Sequence, residues 1–316
     1  MLDILAITTP IFLLIGIGYL AVMLRLFSKD QVQGLGGFVI NFALPALIFR
    51  ALVQQPLDEV FNPVYLIAYG GGSAVLFLGA WWLARHRGKP LGESGILALG
   101  MSASNSGFIG YPIAAMVVGS SAVLALALSM VVENLLMIPT ALAIAEASCQ
   151  RGASFLTILR KTMARLTRNP ILIGILAGIL AAISGITLPA PLFKAVDMLA
   201  SAAAPTALFV VGGTLYGLRI GGMLNDVSQV VIGKLILHPL LILLMLWWLP
   251  PIDPTLATAA VILASAPMLS VYPILGQRYG HSELCTASLM LATLLSFITI
   301  SSLLWLILHS SFFVTP

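Results

Sequence analysis

The chain has 316 residues, of which 60% are hydrophobic and only 8% charged, with a formal net charge of +4. A water-soluble protein of this length needs far more charge to cover its surface, so a mean hydropathy of +1.08 places the chain in a bilayer. The small positive balance is not a nucleic-acid footprint, because the basic residues fall mostly in the connections between apolar stretches.

Ten stretches meet the roughly 20 residues needed to cross the hydrocarbon core. They lie near 2–24, 32–53, 62–84, 94–118, 121–146, 168–188, 192–217, 227–249, 256–279 and 283–309. The expectation is an all-α membrane protein, one integral domain over 1–316. It divides into a first five-helix repeat over 1–147, a cytoplasmic linker loop over 148–167 and a second five-helix repeat over 168–316. The first stretch starts with Asp3, lacks a basic leader and is too long for a signal-peptide core, so it reads as a retained span.

In the second span Asn41 precedes Pro45 by one helical turn. It is expected to cap carbonyls freed by the proline, with contact to a ligand as the alternative. Trp81 and Trp82 in the third span, like Trp247 and Trp248 in the eighth, read as interfacial belts. The fourth span packs Ser102, Ser104, Asn105, Ser106, Gly107, Gly110 and Pro112 into mid-membrane. A proline there removes a donor and clashes with the preceding turn, so the helix should be interrupted near the bilayer centre.

The fifth span carries Glu133 and Asn134 among Leu, Met and Val. An intramembrane carboxylate is costly and functional by default. Two readings stay open: carriage of a coupling proton or sodium ion, and a hydrogen-bonded glutamate that fastens helices. Glu146, near the end of the same span, reads as interfacial. In the eighth span Lys234 is expected to snorkel to the cytoplasmic side, and His238, before Pro239, to be a hydrogen-bonded helix residue. The ninth span, with Ser265, Pro267, Ser270, Tyr272 and Pro273, is expected to be the second interrupted helix, and Arg278 closes it as a cytoplasmic anchor.

The two halves repeat each other. Pro10 falls on Pro170 and Pro45 on Pro205, both 160 residues apart, and Tyr111-Pro112 falls on Tyr272-Pro273 at 161. Arg25, Lys29, Arg85, Arg87, Lys89, Arg151, Arg160, Lys161, Arg165, Arg168, Arg219 and Arg278 lie on one side, against Arg50 and Lys194 on the other. This bias predicts that both termini are extracytoplasmic. Five spans per half then make the repeats inverted, and inversion brings the breaks in spans 4 and 9 together at the midplane.

Unwinding exposes amide donors at one half-helix and carbonyls at the other. The first favour an anion and the second a cation. The candidate binding residues are Ser104, Asn105, Ser106, Gly107, Tyr111 and Pro112 around the first break. Around the second they are Ser265, Pro267, Ser270, Tyr272 and Pro273, with Asn41 from the second span. Cys149 and Cys285 have neither metal nor redox spacing, and no catalytic or nucleotide-binding motif appears. The expected function is gradient-driven transport without cofactors or ATP, with H+ and Na+ both open as coupling ions. A membrane receptor or sensor that binds without translocating is the alternative.

Asn41-Phe-Ala-Leu-Pro-Ala-Leu-Ile-Phe49, Ser104-Asn-Ser-Gly-Phe-Ile-Gly-Tyr-Pro112 and the stretch from Ala266-Pro267 to Tyr279 carry a resemblance to the auxin efflux carrier family. That family includes malonate-type permeases and the plant PIN transporters. The resemblance implies ten helices as in bile acid:sodium symporters, with helices 4 and 9 crossed. It also implies a scaffold of spans 1, 2, 6 and 7, a mobile transport unit of the others and a homodimer through the scaffold. It places Asn105 beside a substrate carboxylate. The chain departs from plant members in its short central connection and in Ser104, where a proline often precedes the asparagine. A small organic anion, mono- or dicarboxylate, is therefore expected in place of auxin. The cellular setting expected is the inner or plasma membrane, with lipid as the surrounding partner.

Overall fold

The computed structural model describes residues 2–54, 62–149, 167–184, 188–217 and 224–309. All regular structure among them is helical. In chain order the helices are α1 (Leu2–Met23), α2 (Lys29–Gln54), α3 (Pro63–His86), α4 (Leu91–Ser102), α5 (106–118) and α6 (Ser121–Ser148). Then follow α7 (Pro170–Ser184), α8 (Ala190–Leu215), α9 (Leu224–Trp248), α10 (Pro254–Ser265), α11 (Tyr272–Arg278) and α12 (Ser282–His309). The helices α2, α3, α6, α8, α9 and α12 are long and apolar enough to cross a membrane, and shorter apolar runs occupy 9–23, α7 and α10. The linker expected over 148–167, with Arg151, Arg160, Lys161 and Arg165, lies almost wholly outside the described residues, and so does Arg219.

Local chemistry sets the helix starts. Ser28 and Gln31 exchange side-chain and backbone hydrogen bonds at the start of α2, a capping box. Asn62 accepts from the Tyr65 amide ahead of α3, and Asp253 accepts from the Thr255 and Leu256 amides ahead of α10. In both cases a proline, Pro63 or Pro254, takes the first helical position, where its missing N–H costs nothing.

Prolines inside the helices act differently. Among the described residues four wide π turns occur, at Val39–Ala43, Ser106–Gly110, Glu133–Met137 and Gly233–Leu237. Each is followed by one residue and then a proline: Pro45, Pro112, Pro139 or Pro239. In each the residue before the proline donates to the carbonyl five residues back, as Tyr111 does to Ser106 and His238 to Gly233. The proline ring would collide with a carbonyl one tight turn earlier, and widening that turn moves the carbonyl away.

Glycines let α1 approach α8 and α2 approach α7. A Cβ on Gly212 would lie 1.8 Å from the Ile15 carbonyl oxygen, and one on Gly18 would lie 2.0 Å from that of Phe209. Gly174 and Gly178 bring α7 against Pro45 and Leu52 of α2 in the same way. The remaining helices form a second group, in which α3 packs on α4 and α9, α10 on α6 and α9, and α11 on α12. Trp82, Trp247 and Trp248 are exposed near helix ends, where the belts were expected, whereas Trp81 is part-buried and packs against the core.

Candidate functional site

The chain leaves helical geometry at 103–105, between α4 and α5, and again at 266–271, between α10 and α11. These are the two interruptions expected from the prolines and serines. They touch: the Asn105 amide donates to the Pro267 carbonyl at 2.7 Å, and Asn105 Nδ2 donates to Ser270 Oγ at 2.6 Å. Asn105 is 4% exposed. Its own carbonyl accepts from the Ile109 and Gly110 amides, the first bonds of α5. The amides of residues 106–108 precede those bonds, so α5 offers its positive end at the break.

A polar network runs behind the breaks. Glu133 is wholly buried. Its Oε1 accepts from Ser106 Oγ at 2.7 Å, Tyr69 Oη at 3.0 Å and the Ser104 amide at 3.2 Å. Its Oε2 is buried and meets no partner among the described residues. Lys234 is also wholly buried, which corrects the expectation that it snorkels outward. Its Nζ donates to Ser104 Oγ at 2.6 Å and to the Ala264 carbonyl at 2.8 Å, and lies 2.6 Å from His238 Nδ1. Three internal acceptors replace the water that a snorkelling side chain would seek. His238 is hydrogen-bonded within the helix bundle as expected, with Nε2 2.8 Å from Ser73 Oγ.

In front of the breaks lies a cavity of about 320 Å³. Its polar wall holds Ser104, Asn105, Ser106, Glu133, Asn134, Asn169 and Ser270, and Gly107 brings backbone to it. Its apolar wall includes Ile40 and Leu44 of α2, Phe108, Met130, Ile171 and Leu269. The cavity therefore sits between the α2–α7 pair and the second helix group. Asn169, which caps the start of α7 by accepting from the Ile171 amide, donates to Asn134 Oδ1 at 2.9 Å across that boundary.

Other expected residues lie elsewhere. Asn41 is exposed, donates to the Gly37 carbonyl at 2.7 Å and does not line the cavity; Gly37 lies eight residues before Pro45, so this carbonyl is not one that the proline frees. Tyr111 and Pro112 are packed in the core. Ser265 bonds the Ile262 carbonyl and lines a separate apolar groove beside α9 and α12. Tyr272 donates to the Ile96 carbonyl at 3.0 Å, Pro267 contributes its carbonyl to Asn105, and Pro273 is half-buried at the start of α11. At the other end of α6, Glu146 accepts from Tyr279 and pairs with the exposed Arg278. Sequence reasoning missed Tyr69, Ser73 and Asn169, and misjudged Lys234. A charged residue in mid-span was the signal for Lys234. The others are ordinary polar residues whose partners lie far away in sequence.

No group of three or more His, Cys, Asp or Glu side chains is placed to hold a metal among the described residues. The arrangement can hold a small anion through α5 amides, hydroxyls and carboxamides, beside a buried carboxylate and ammonium.

A protein of Rhizobium meliloti (strain 1021) named "Putative malonate transporter" is 30% identical over 312 residues, covering 97% of each chain. The uncharacterized transporter YfdV of Escherichia coli (strain K12) is 24% identical over 242 residues, covering 74% of this chain and 76% of its own. An uncharacterized transporter of Methanothermobacter thermautotrophicus is 33% identical over 114 residues, covering 35% of this chain and 37% of its own. Residues 4–305 match the family described as membrane transport protein, and the chain belongs to that family, the auxin efflux carrier family its motifs resemble.

Proposed function

We propose that the chain is a secondary transporter that moves a small organic anion, a mono- or dicarboxylate such as malonate, by alternating access. The observation that carries this reading is the cavity where the two helix breaks meet, lined by Asn105, Ser106 and Ser270 and flanked by Glu133. A carboxylate held there would take hydrogen bonds from the α5 amides and from the hydroxyls. The name of the Rhizobium relative supports malonate as the first substrate to try.

In this reading the glycine-packed pairs α1–α8 and α2–α7 form the scaffold, and the other helices carry the site past it in elevator fashion. The chain then comprises ten spans as two inverted repeats in the inner or plasma membrane, with both termini extracytoplasmic and a homodimer through the scaffold. Glu133 is the candidate for proton coupling, because one of its oxygens has no partner among the described residues.

Uptake of labelled malonate and related acids into proteoliposomes tests the proposal. Asn105→Ala removes the carboxamide that ties the two breaks and should lower uptake at least tenfold with the protein still folded. Full uptake by that variant would remove the central residue of the scheme.

A further inference from the structure

The crossover holds a buried lysine. An ammonium has three protons, and among the described residues Lys234 Nζ lies within hydrogen-bond reach of three groups: Ser104 Oγ, His238 Nδ1 and the Ala264 carbonyl. The two helix breaks supply two of them. Ser104 belongs to the first break. Ala264 belongs to the last turn of α10, where carbonyls have no intrahelical donor and the helix end attracts positive charge. His238 presents Nδ1 as an acceptor in the tautomer whose Nε2–H donates to Ser73 Oγ. Ser104 then links the ammonium to Glu133 through its amide.

Unwound carbonyls and half-helix ends of this kind are where sodium-coupled carriers hold their ion. Here an ammonium on a fixed side chain stands at that position. A sodium ion at the same carbonyl would meet a like charge.

We propose that Lys234 is the resident cation of the crossover, occupying the place of a mobile sodium ion, so that neither the folded crossover nor the transport cycle requires sodium. The part that concerns the cycle rests on the transporter reading above. The part that concerns the folded crossover does not.

The test therefore uses the purified full-length protein without any substrate. Its Tm is compared in sodium, potassium and choline chloride at equal ionic strength, and the wild type should melt alike in all three. Lys234→Ala empties a hollow lined by the Ser104 hydroxyl and the Ala264 carbonyl. Its Tm should fall by several degrees and recover in part with sodium or methylammonium but not with the bulkier choline. A sodium-specific rise in the wild-type Tm overturns the proposal. So does a folded Lys234→Ala protein that responds to no small cation. If that variant does not fold, the wild-type comparison decides alone. Failure of uptake with every carboxylate would count against the transport reading and leave this result standing.

Discussion

The contact of α1 with α8 and the contact of the two helix breaks join distant parts of the chain by opposite means. The first is made by shape: Gly18 and Gly212 let two backbones meet with no room for a methyl group. The second is made by polar satisfaction: Lys234, Ser104, Glu133, Ser106, Tyr69, His238 and Ser73 form one hydrogen-bonded chain of buried groups. Shape gives a contact that tolerates no addition. Satisfaction gives one that tolerates no subtraction, because each lost partner leaves a buried group exposed to an apolar medium.

Gly212 is the position least able to accept a side chain. Gly212→Ala places a Cβ against the Ile15 carbonyl, and backbone cannot step aside as a side-chain tip can. The expected cost is about 3 kcal/mol or more, read as loss of the monodisperse peak on size-exclusion chromatography. Gly79→Ala is the control, since a Cβ there meets nothing within 4 Å. An unchanged Gly212→Ala protein would show that the close approach is not tight.

The crossover is sharpened by a double-mutant cycle on Lys234 and Glu133. Lys234→Met alone leaves the Glu133 carboxylate buried without its counter-charge and should cost about 3–5 kcal/mol. Glu133→Gln added to it should restore part of that loss. Simple additivity in thermal melts would mean that Ser104 does not couple the two groups.

Ser73→Ala is a smaller subtraction. It leaves His238 Nε2 without its partner and should cost about 1–3 kcal/mol. A change within a few tenths would mean that another group takes the bond.

The smallest effect belongs to a surface ion pair that also joins distant elements. Lys89 pairs with Asp226 at 2.7 Å and with Glu93 at 2.8 Å. These bonds, Asp226 first and then Glu93, raise its ammonium above the usual lysine range. A raised folded value means that its stabilisation is fully present below the unfolded value of about 10.4 and fades only as pH climbs through the raised one. Lys89→Ala should therefore cost less than about 1 kcal/mol. That gap should stay level from about pH 6 to about pH 9. A gap that closes across this range would contradict the assignment.

Sequence made the helices and their breaks legible because proline, glycine and serine act locally. Pro273 stands at the start of the half-helix after its break, whereas Pro112 lies inside α5, seven residues beyond 103–105, where a wide turn accommodates it. The network was less legible because its bonds are long-range. Lys234 reaches Ser104, 130 residues away, and no periodicity reports that pairing. The local rule for a mid-span lysine favoured escape to water, and the structure supplies internal acceptors instead. Asn169 stood in no motif, and only its position beside Asn134 gives it a place in the cavity wall.

The four wide turns before prolines carry a further consequence. An extra residue in a turn advances the helix by about 100°, so each proline and its widened turn act together as a phase shifter. Everything downstream presents a different face from the one an uninterrupted heptad count assigns. Glu133 and Lys234 stand at or beside the entry to two such shifters. Changing Pro139 or Pro239 to alanine while deleting one residue from the turn should restore regular winding and rotate the rest of the helix out of register. Substituting the proline alone should leave the gearing largely in place, since neighbours already fit the shifted face.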